Sequence, residues 1–529
     1  MKQRMACLMA AFALLIALPG CVSNEGAQSQ PSGTEASALF ALPDLEVWYT
    51  NTGFLEVKQG SPTYQFYKDL VGVGLWQPYV EWNGGKTYQE QLNLRISAGE
   101  PPDVFLAINA MELDLAKSGA LLDLTDLLPE KAPHLWNLIP QEEWDIVRSY
   151  DPSGERHIYM VPQIRNYTLT GGMIRQDWLD KLGLSMPTNQ AEFHDVMVAF
   201  KEQDPNGNGI ADEIPISGRA EAKYLDILFS MYGVSLSGDM PLWDIYGGEL
   251  TYSGVTQNMR DALEYVSGLY SEGLIDPECL LNDLAAWKEK LASDLCGTYY
   301  HWVQASHEYA LDTYNATGAQ PDWAVMPPIS APGYEGFYTT PQARTSFIVA
   351  SATADQYAID SVMLFLDAYG NTELWDEFQY GVEGMHHDVV DGKKALRPND
   401  YATQENRIIR AYEDVTTVDE VAKFLNSIKT TETAWAIDRS IDNLKKTQGY
   451  GKQVAGDGLP NSVYDGYPDI FNRTLYVEYA SKIITGEYPI EKFDEFVELW
   501  YAKGGSEVTK IAREWYALVQ NEGETTEAE

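Results

Sequence analysis

Strand-like and helix-like patterns alternate along the body of this chain. A β-branched and aromatic run at residues 45–50 predicts a first strand, and apolar spacing at residues 88–99 predicts a helix. Residues 102–106 predict the next strand, and a capping box at residues 189–192 opens another helical pattern. Alternation over this length predicts α/β lobes with largely parallel sheets.

Residues 204–213, DPNGNGIADE, carry oxygen-bearing side chains at every second position. Calcium takes six to eight oxygen ligands, and a short loop that turns at a glycine, here Gly209, supplies them. Pro215 replaces the glutamate expected at the twelfth position of a helix-loop-helix calcium loop, and Glu213 substitutes for it two residues early. The predicted ligands are Asp204, Asn206, Asn208, Asp212, Glu213 and the carbonyl oxygen of Ile210. The alternative is an Asn/Gly/Asp turn beside a helix.

The first twenty residues have the build of a secretory signal. Lys2 and Arg4 precede an apolar run over residues 5–18, which is shorter than the roughly 20 residues that span a bilayer. The run ends in Leu-Pro-Gly-Cys21, which resembles the lipobox of bacterial lipoproteins. Acylated Cys21 would anchor the chain to a membrane. Residues 21–42 then form a polar, flexible tether.

The formal net charge of −41 excludes nucleic-acid binding by phosphate neutralisation. The 14 Trp and 33 Tyr residues suit a protein that stacks flat apolar rings. Beyond the signal and Cys21, only Cys279 and Cys296 remain. They allow either a disulfide or two buried thiols.

Enzyme signatures are missing from the sequence. It contains no Gly-x-Ser-x-Gly elbow, no complete Gly-x-x-x-x-Gly-Lys-Ser/Thr phosphate-binding loop and no His-Glu-x-x-His motif. A glycoside hydrolase needs only two carboxylates, so a secreted glycoside-active enzyme remains an alternative. A surface adhesin stiffened by calcium is another.

Six stretches, in this order, resemble the extracellular solute-binding lipoproteins of bacterial ABC importers, in the oligosaccharide-binding branch (family 1). They are Pro102–Phe105 with Ser118–Thr125, Ile158–Pro162, Ile174–Leu184 with Pro187–Thr188, the calcium-type loop, Gly381–His386 and Ile483–Gly486. The resemblance spans nearly the whole chain. It implies a protein that is not an enzyme, that captures an oligosaccharide and that delivers it to the permease subunits of an ABC transporter. It would be a monomer, lipid-anchored outside the bacterial cytoplasmic membrane.

The resemblance also implies a two-lobed periplasmic-binding-protein-like fold of type II, with the ligand in the cleft between discontinuous lobes. The expected N-terminal lobe holds residues 43–164 and 340–395, and the C-terminal lobe holds residues 165–339 and 396–529 with the calcium loop. The lobes would close by hinge motion near Pro162 and Pro341.

Sugars offer C–H faces to aromatic rings and hydroxyls to planar polar groups. In the family, the end of the strand at residues 296–300 faces the cleft, which makes the following Trp302 the strongest candidate. The other ligand candidates follow the first strand, follow the first crossing between lobes, or lie in a Gly-flanked loop. They are Trp48, Tyr49, Asn51, Arg165, Tyr167 and Glu383.

Overall fold

The computed structural model describes a large part of the chain. The described residues are 42–48, 56–81, 86–108, 111–151, 153–162, 167–219, 223–238, 240–340, 346–390, 392–397 and 417–526. Residues 42–529 form one compact unit by their internal contacts. Within the described ranges, no helix is long and apolar enough to cross a bilayer.

The strands and helices are numbered in chain order. The strands are β1 Leu45–Trp48, β2 Leu75–Trp76, β3 Val104–Ile108, β4 Met160–Pro162, β5 Thr170–Arg175, β6 Ile214–Ile216, β7 Leu236–Ser237, β8 Met240–Pro241, β9 Trp243–Tyr246, β10 Glu249–Tyr252, β11 Cys296–Trp302, β12 Trp323–Val325, β13 Tyr338–Thr339, β14 Ser346–Ala350, β15 His387–Val390, β16 Lys393–Leu396 and β17 Gly451–Lys452. The helices are α1 Pro62–Val71, α2 Lys86–Ser97, α3 Met111–Lys117, α4 Leu127–Lys131, α5 Pro133–Leu138, α6 Gln141–Arg148, α7 Gln176–Leu182, α8 Gln190–Glu202, α9 Asp226–Ser230, α10 Gln257–Ser271, α11 Leu284–Ala292, α12 Ser306–Thr317, α13 Gln356–Gly370, α14 Trp375–Tyr380, α15 Val418–Ser427, α16 Ala434–Thr447, α17 Pro468–Phe471, α18 Thr474–Ile484, α19 Lys492–Trp500 and α20 Ser506–Thr526.

A first sheet has the strand order β2-β1-β3-β14-β4. β1 pairs in parallel with β2 and β3, whereas β14 pairs antiparallel with β3 and β4. β1 and β3 are buried along their length, as strands covered on both faces by helices are.

A second sheet has the order β12-β5-β11-β6. Only β11 and β6 are parallel, and β5 runs antiparallel to both of its neighbours. The prediction of largely parallel sheets is therefore wrong for this sheet. β5 is the first strand after the chain passes from the first sheet to the second, and it enters in the reverse direction. The alternation of strands and helices in the sequence does not reveal this direction.

Each sheet has its own apolar core. The buried members of one core come from residues 45–161 and 347–378. Those of two further clusters come from residues 167–338 and 436–512. The core of the first sheet is thus built from two stretches that are separated in the sequence, and so are the two clusters of the second sheet taken together.

Two passages between the strands of the two sheets are adjacent, and the chain returns to the second set of cores once more after residue 378. β4 and β14 pair in the first sheet, with Pro162 opposite Phe347. On the side of the second sheet, the hydroxyl oxygens of Thr168 and Thr340 lie 3.2 Å apart. Pro341 lies outside the described residues.

Candidate functional site: a sheet edge and a calcium-type loop

β6 and β11 run parallel with Ile216 opposite Thr298, so the chain that leaves β6 and the last four residues of β11 run towards the same end of the sheet. The last residue of β11, Trp302, pairs with Thr170, the first residue of β5 after the chain enters the second sheet. Ligands of open α/β sheets bind beyond the carboxyl ends of strands. This edge, next to the passages between the sheets, is therefore the candidate ligand site.

Trp302 presents an aromatic surface at this edge. Its side chain is 38% exposed, although it ends a strand whose other residues are all buried. The ring stacks on the imidazole of His301, with centroids 5.4 Å apart and planes at 25°. The Tyr309 hydroxyl lies 2.8 Å from His301 Nδ1 and fixes the imidazole.

His301 is uncharged at neutral pH. Burial, followed by the charges of Arg219 and Lys288, lowers its pKa to about 3. The imidazole that stacks against the indole of Trp302 is therefore uncharged rather than cationic.

Two of the predicted ligand residues belong to the cores. Trp48 is 3% exposed, and its indole N–H donates a 2.8 Å hydrogen bond to Glu46, which Arg95 also binds. Tyr167 is 8% exposed and packs in a core of the second sheet. Neither ring has a face open to a ligand, so we assign both to packing. The end of a strand does not by itself place a side chain outside the core, because alternate residues point to opposite faces.

Of the remaining predicted site residues, Glu383 is described by the structure and the others are not. Glu383 is exposed in the turn between α14 and β15, and the Gly384 N–H closes this turn on the His387 carbonyl at 2.8 Å. Four predicted residues lie outside the described ranges, namely Tyr49, Asn51, Arg165 and Cys21.

Arg219 and Lys288 lie beside the candidate edge and were missed at the level of sequence. Arg219 follows β6 by three residues, and its guanidinium carbon lies 4.4 Å from the ring centroid of Tyr224. Lys288 lies over the ring of Tyr309 at 5.5 Å. The available signal was the position of Arg219 just past a short apolar strand.

The calcium-type loop folds around its own side-chain oxygens. Asp204 accepts the N–H groups of Gly207 and Gly209 at 2.9 and 3.0 Å. Asn206 and Asn208 each accept the N–H two residues onward, at 2.9 and 2.7 Å. These bonds turn the oxygens towards the inside of the loop. Gly209 has φ +84°, a conformation that a glycine adopts without strain.

Glu213 supplies the buried member of this loop. Its Oε1 accepts the Asn206 N–H at 3.4 Å, whereas its Oε2 is buried without a hydrogen-bond partner. Burial, and then the charges of Asp204 and Asp212, raise the Glu213 pKa. Among the described residues no three His, Cys, Asp or Glu side chains already converge as a metal cluster. The donor set nonetheless fits calcium, because its oxygens are carboxylate, amide and carbonyl and one of them is unsatisfied.

Cys279 and Cys296 are both free and buried. Burial raises the pKa of each thiol to about 12. Of the two sequence alternatives, this structure therefore has two buried thiols.

Comparison with known families identifies the chain. Residues 79–373 match the family described as "Bacterial extracellular solute-binding protein". The chain belongs to this family. FusA, the fructooligosaccharide ABC-transporter substrate-binding protein of Streptococcus pneumoniae, is 30% identical over 322 residues, which cover 57% of this chain and 55% of FusA. Lipoprotein LipO of Bacillus subtilis is 24% identical over 83% of this chain and 86% of its own length.

Two solved structures have the same fold. Both a FusA EF-hand mutant in complex with fructo-nystose and the alginate-binding protein AlgQ2 without calcium ion superpose with a TM-score of 0.66. The FusA structure is 19% identical and covers 91% of this chain and 99% of its own. AlgQ2 is 20% identical and covers 90% of this chain and 98% of its own. The periplasmic-binding-protein-like α/β fold predicted from the sequence is thereby confirmed.

Proposed function

We propose that this solute-binding protein captures an oligosaccharide between its two sheets and delivers it to the permease subunits of an ABC importer. The exposed Trp302 ring, held on neutral His301 at the carboxyl end of β11, carries the proposal. A flat indole face of this kind packs on the C–H face of a sugar. The similarity to FusA, a fructooligosaccharide ABC-transporter substrate-binding protein, supports the ligand class.

The proposed lobes comprise residues 43–164 with 340–395 and residues 165–339 with 396–529. Their support is that the apolar cores divide along the same lines. The adjacent passages at Thr168 and Thr340 would act as the hinge. The remaining ligand contacts proposed are Tyr49, Asn51, Arg165 and Glu383.

The 204–213 loop is proposed to bind one structural calcium ion. Asp204, Asn206, Asn208, Asp212, Glu213 and the Ile210 carbonyl would hold it, and the ion would neutralise the unsatisfied Glu213 oxygen. An EF-hand in FusA supports this assignment. The ion would stiffen the link between α8 and β6 and take no part in ligand chemistry.

Acylated Cys21 is proposed to anchor the protein, as a monomer, to the outer face of the cytoplasmic membrane. Residues 21–42 would then be the tether and residues 1–20 a cleaved signal. The lipobox-like Leu-Pro-Gly-Cys sequence supports this arrangement.

Calorimetric titration of a glycan panel, with the Trp302→Ala variant, tests the function. Losing the stacking face removes about 1.5–3 kcal/mol of binding, or roughly 10- to 100-fold in affinity. Unfolding stability should change little because the ring is 38% exposed. The matched control is Trp144→Ala, since Trp144 is fully buried in the core of the first sheet and its loss should cost about 3–5 kcal/mol of stability.

Product analysis of the same mixtures separates the alternatives. A transport protein returns its glycan intact, whereas a glycoside-active enzyme cleaves it and an adhesin without a sugar cleft leaves the calorimetric signal flat. If Trp302→Ala binds the identified glycan as tightly as the natural chain does, Trp302 is not a ligand contact.

A further inference from the structure

Two cations beside the candidate edge have no carboxylate partner among the described residues, in a chain with 78 acidic and only 37 basic residues. They are Arg219 and Lys288. The contrast with Lys290 is direct, because this side chain, two residues after Lys288, binds Asp276 at 2.8 Å and Glu278 at 2.7 Å. In so acidic a protein, two cations without a carboxylate partner in the described ranges require an explanation.

The guanidinium of Arg219 is positioned by two aromatic rings. Its carbon lies 4.4 Å from the Tyr224 centroid and 5.3 Å from the centroid of buried Trp287. Rings packed on a guanidinium satisfy its charge but not its N–H donors, which point outwards in the guanidinium plane. Arg219 Nε is buried and has no hydrogen-bond partner. The donors of Arg219 therefore still need an acceptor.

The same rings connect Arg219 to the proposed sugar platform. Tyr224 packs on His301 with centroids 4.8 Å apart, and His301 stacks on Trp302. Trp287 also packs on His301, at 5.3 Å. The cation and the exposed indole thus share one aromatic cluster at one sheet edge.

We infer that Arg219, assisted by Lys288, binds the carboxylate of an acidic sugar. The captured oligosaccharide then contains a uronate next to the unit stacked on Trp302. This inference rests on the proposed function and narrows its ligand class. A planar guanidinium donates two parallel hydrogen bonds to a carboxylate, which favours uronate over a sulfate ester. A site with two cations also rejects neutral sugars, since these leave both charges desolvated and unpaired.

Matched ligands test the inference. The probes are trisaccharides of galacturonate, mannuronate and guluronate, each compared with its fully methyl-esterified form, and one sulfated trisaccharide. Titrations are run in calcium-saturated buffer so that the 204–213 loop stays in one state. At least one uronate should bind about tenfold or more tightly than its ester, since the ester keeps the sugar shape and loses the charge.

Substitutions assign the preference to a residue. Arg219→Gln should remove most of the difference between acid and ester, and Arg219→Lys should restore part of it. The matched control is Lys482→Gln, which removes one positive charge at a different aromatic ring, that of Tyr488. A thermal melt of each variant establishes folding. If Arg219→Gln does not fold, natural protein in about 1 M salt should show weaker binding of the acid but not of the ester.

Each outcome decides between the proposals. Equal affinity for acids and esters, or an acid preference that survives Arg219→Gln, overturns the uronate assignment and leaves oligosaccharide capture standing. Arg219-dependent binding of the sulfated probe alone also overturns it. Failure of every saccharide, charged or neutral, to bind overturns the proposed function itself.

Discussion

At the scale of single residues, Glu213 should have opposite effects on stability with and without the proposed calcium ion. Its Oε2 is buried and unpartnered, and burial raises its pKa above the ordinary 4.5. A carboxyl group with a raised pKa stabilises the fold at low pH, and this contribution is lost as pH rises through the folded-state value. Ionisation of Glu213 is therefore a cost in the metal-free protein, and calcium would reverse that cost.

The Glu213→Gln substitution should accordingly shift the melting temperature in opposite directions without and with calcium. In chelator at pH 7 it should melt at or above the temperature of the natural chain, and in excess calcium it should melt below it, because ligand binding stabilises the folded state by mass action. Lowering the pH towards 4.5 in chelator should erase the advantage of the variant. Differential scanning fluorimetry measures all three conditions.

Asp204→Ala removes another of the proposed ligands and serves as a comparison, since it should not shift the melting temperature in opposite directions. Asp204 accepts two backbone N–H groups, so its loss should destabilise the loop with or without calcium, by about 0.5–1.5 kcal/mol for each hydrogen bond. If Glu213→Gln and the natural chain respond alike to calcium, Glu213 is not a ligand.

Single residues also mark the limit of prediction from sequence. The oxygen spacing of the 204–213 loop is local, so the sequence predicts its turn and its inward-facing side chains. Trp302 and Trp48 both lie at strand ends, yet one is 38% exposed and the other 3%. That difference depends on which elements cover each ring. The approach of Arg219 to the rings that pack on His301 likewise depends on how separate elements pack.

At the scale of elements, one buried cation connects several elements at the end of the second sheet that lies opposite Trp302. Arg175, at the end of β5, is 3% exposed and binds Asp177 through two hydrogen bonds of 2.8 and 2.6 Å and Asp294 at 2.5 Å. The backbone carbonyl of Asp294 accepts the side-chain amide of Asn206 at 3.2 Å. The calcium-type loop is thereby joined to the start of β11.

Arg175→Met should cost about 3–5 kcal/mol of unfolding free energy, because it leaves Asp294, whose side chain is only 15% exposed, without its cation. The matched control is Arg439→Met, which removes a more exposed pair with Asp322 and should cost about 1 kcal/mol or less. Urea denaturation measures both. Equal losses in the two variants would contradict a special role for Arg175 in joining these elements.

The elements themselves were largely predictable. The helix expected at 88–99 spans 86–97, and the strand expected at 102–106 spans 104–108. Asn189 caps α8 by accepting the Glu192 N–H at 3.0 Å, as the capping box predicts. Periodicity identifies such elements because each buries one face. The antiparallel direction of β5 and β14 depends on passages between the sheets, which leave no periodic trace.

At the scale of the whole molecule, the two passages meet at a glycine. A Cβ at Gly451 would collide with the hydroxyl oxygens of both Thr168 and Thr340. On the same part of the chain, the Thr168 N–H donates to the Gln448 side chain at 2.9 Å. This close packing supports the proposed pivot between the cores.

The two cores should approach each other when an oligosaccharide binds, with bending confined to these passages. Small-angle scattering should record a smaller radius of gyration on addition of an identified glycan. Gly451→Ala should overpack the pivot, cost about 1–3 kcal/mol of stability and weaken this compaction, whereas Gly449→Ala should do neither, since its added Cβ would meet nothing nearer than 4.0 Å. An unchanged radius of gyration for the natural chain under saturating glycan would mean that the ligand enters a preformed site, and the pivot would then serve packing alone.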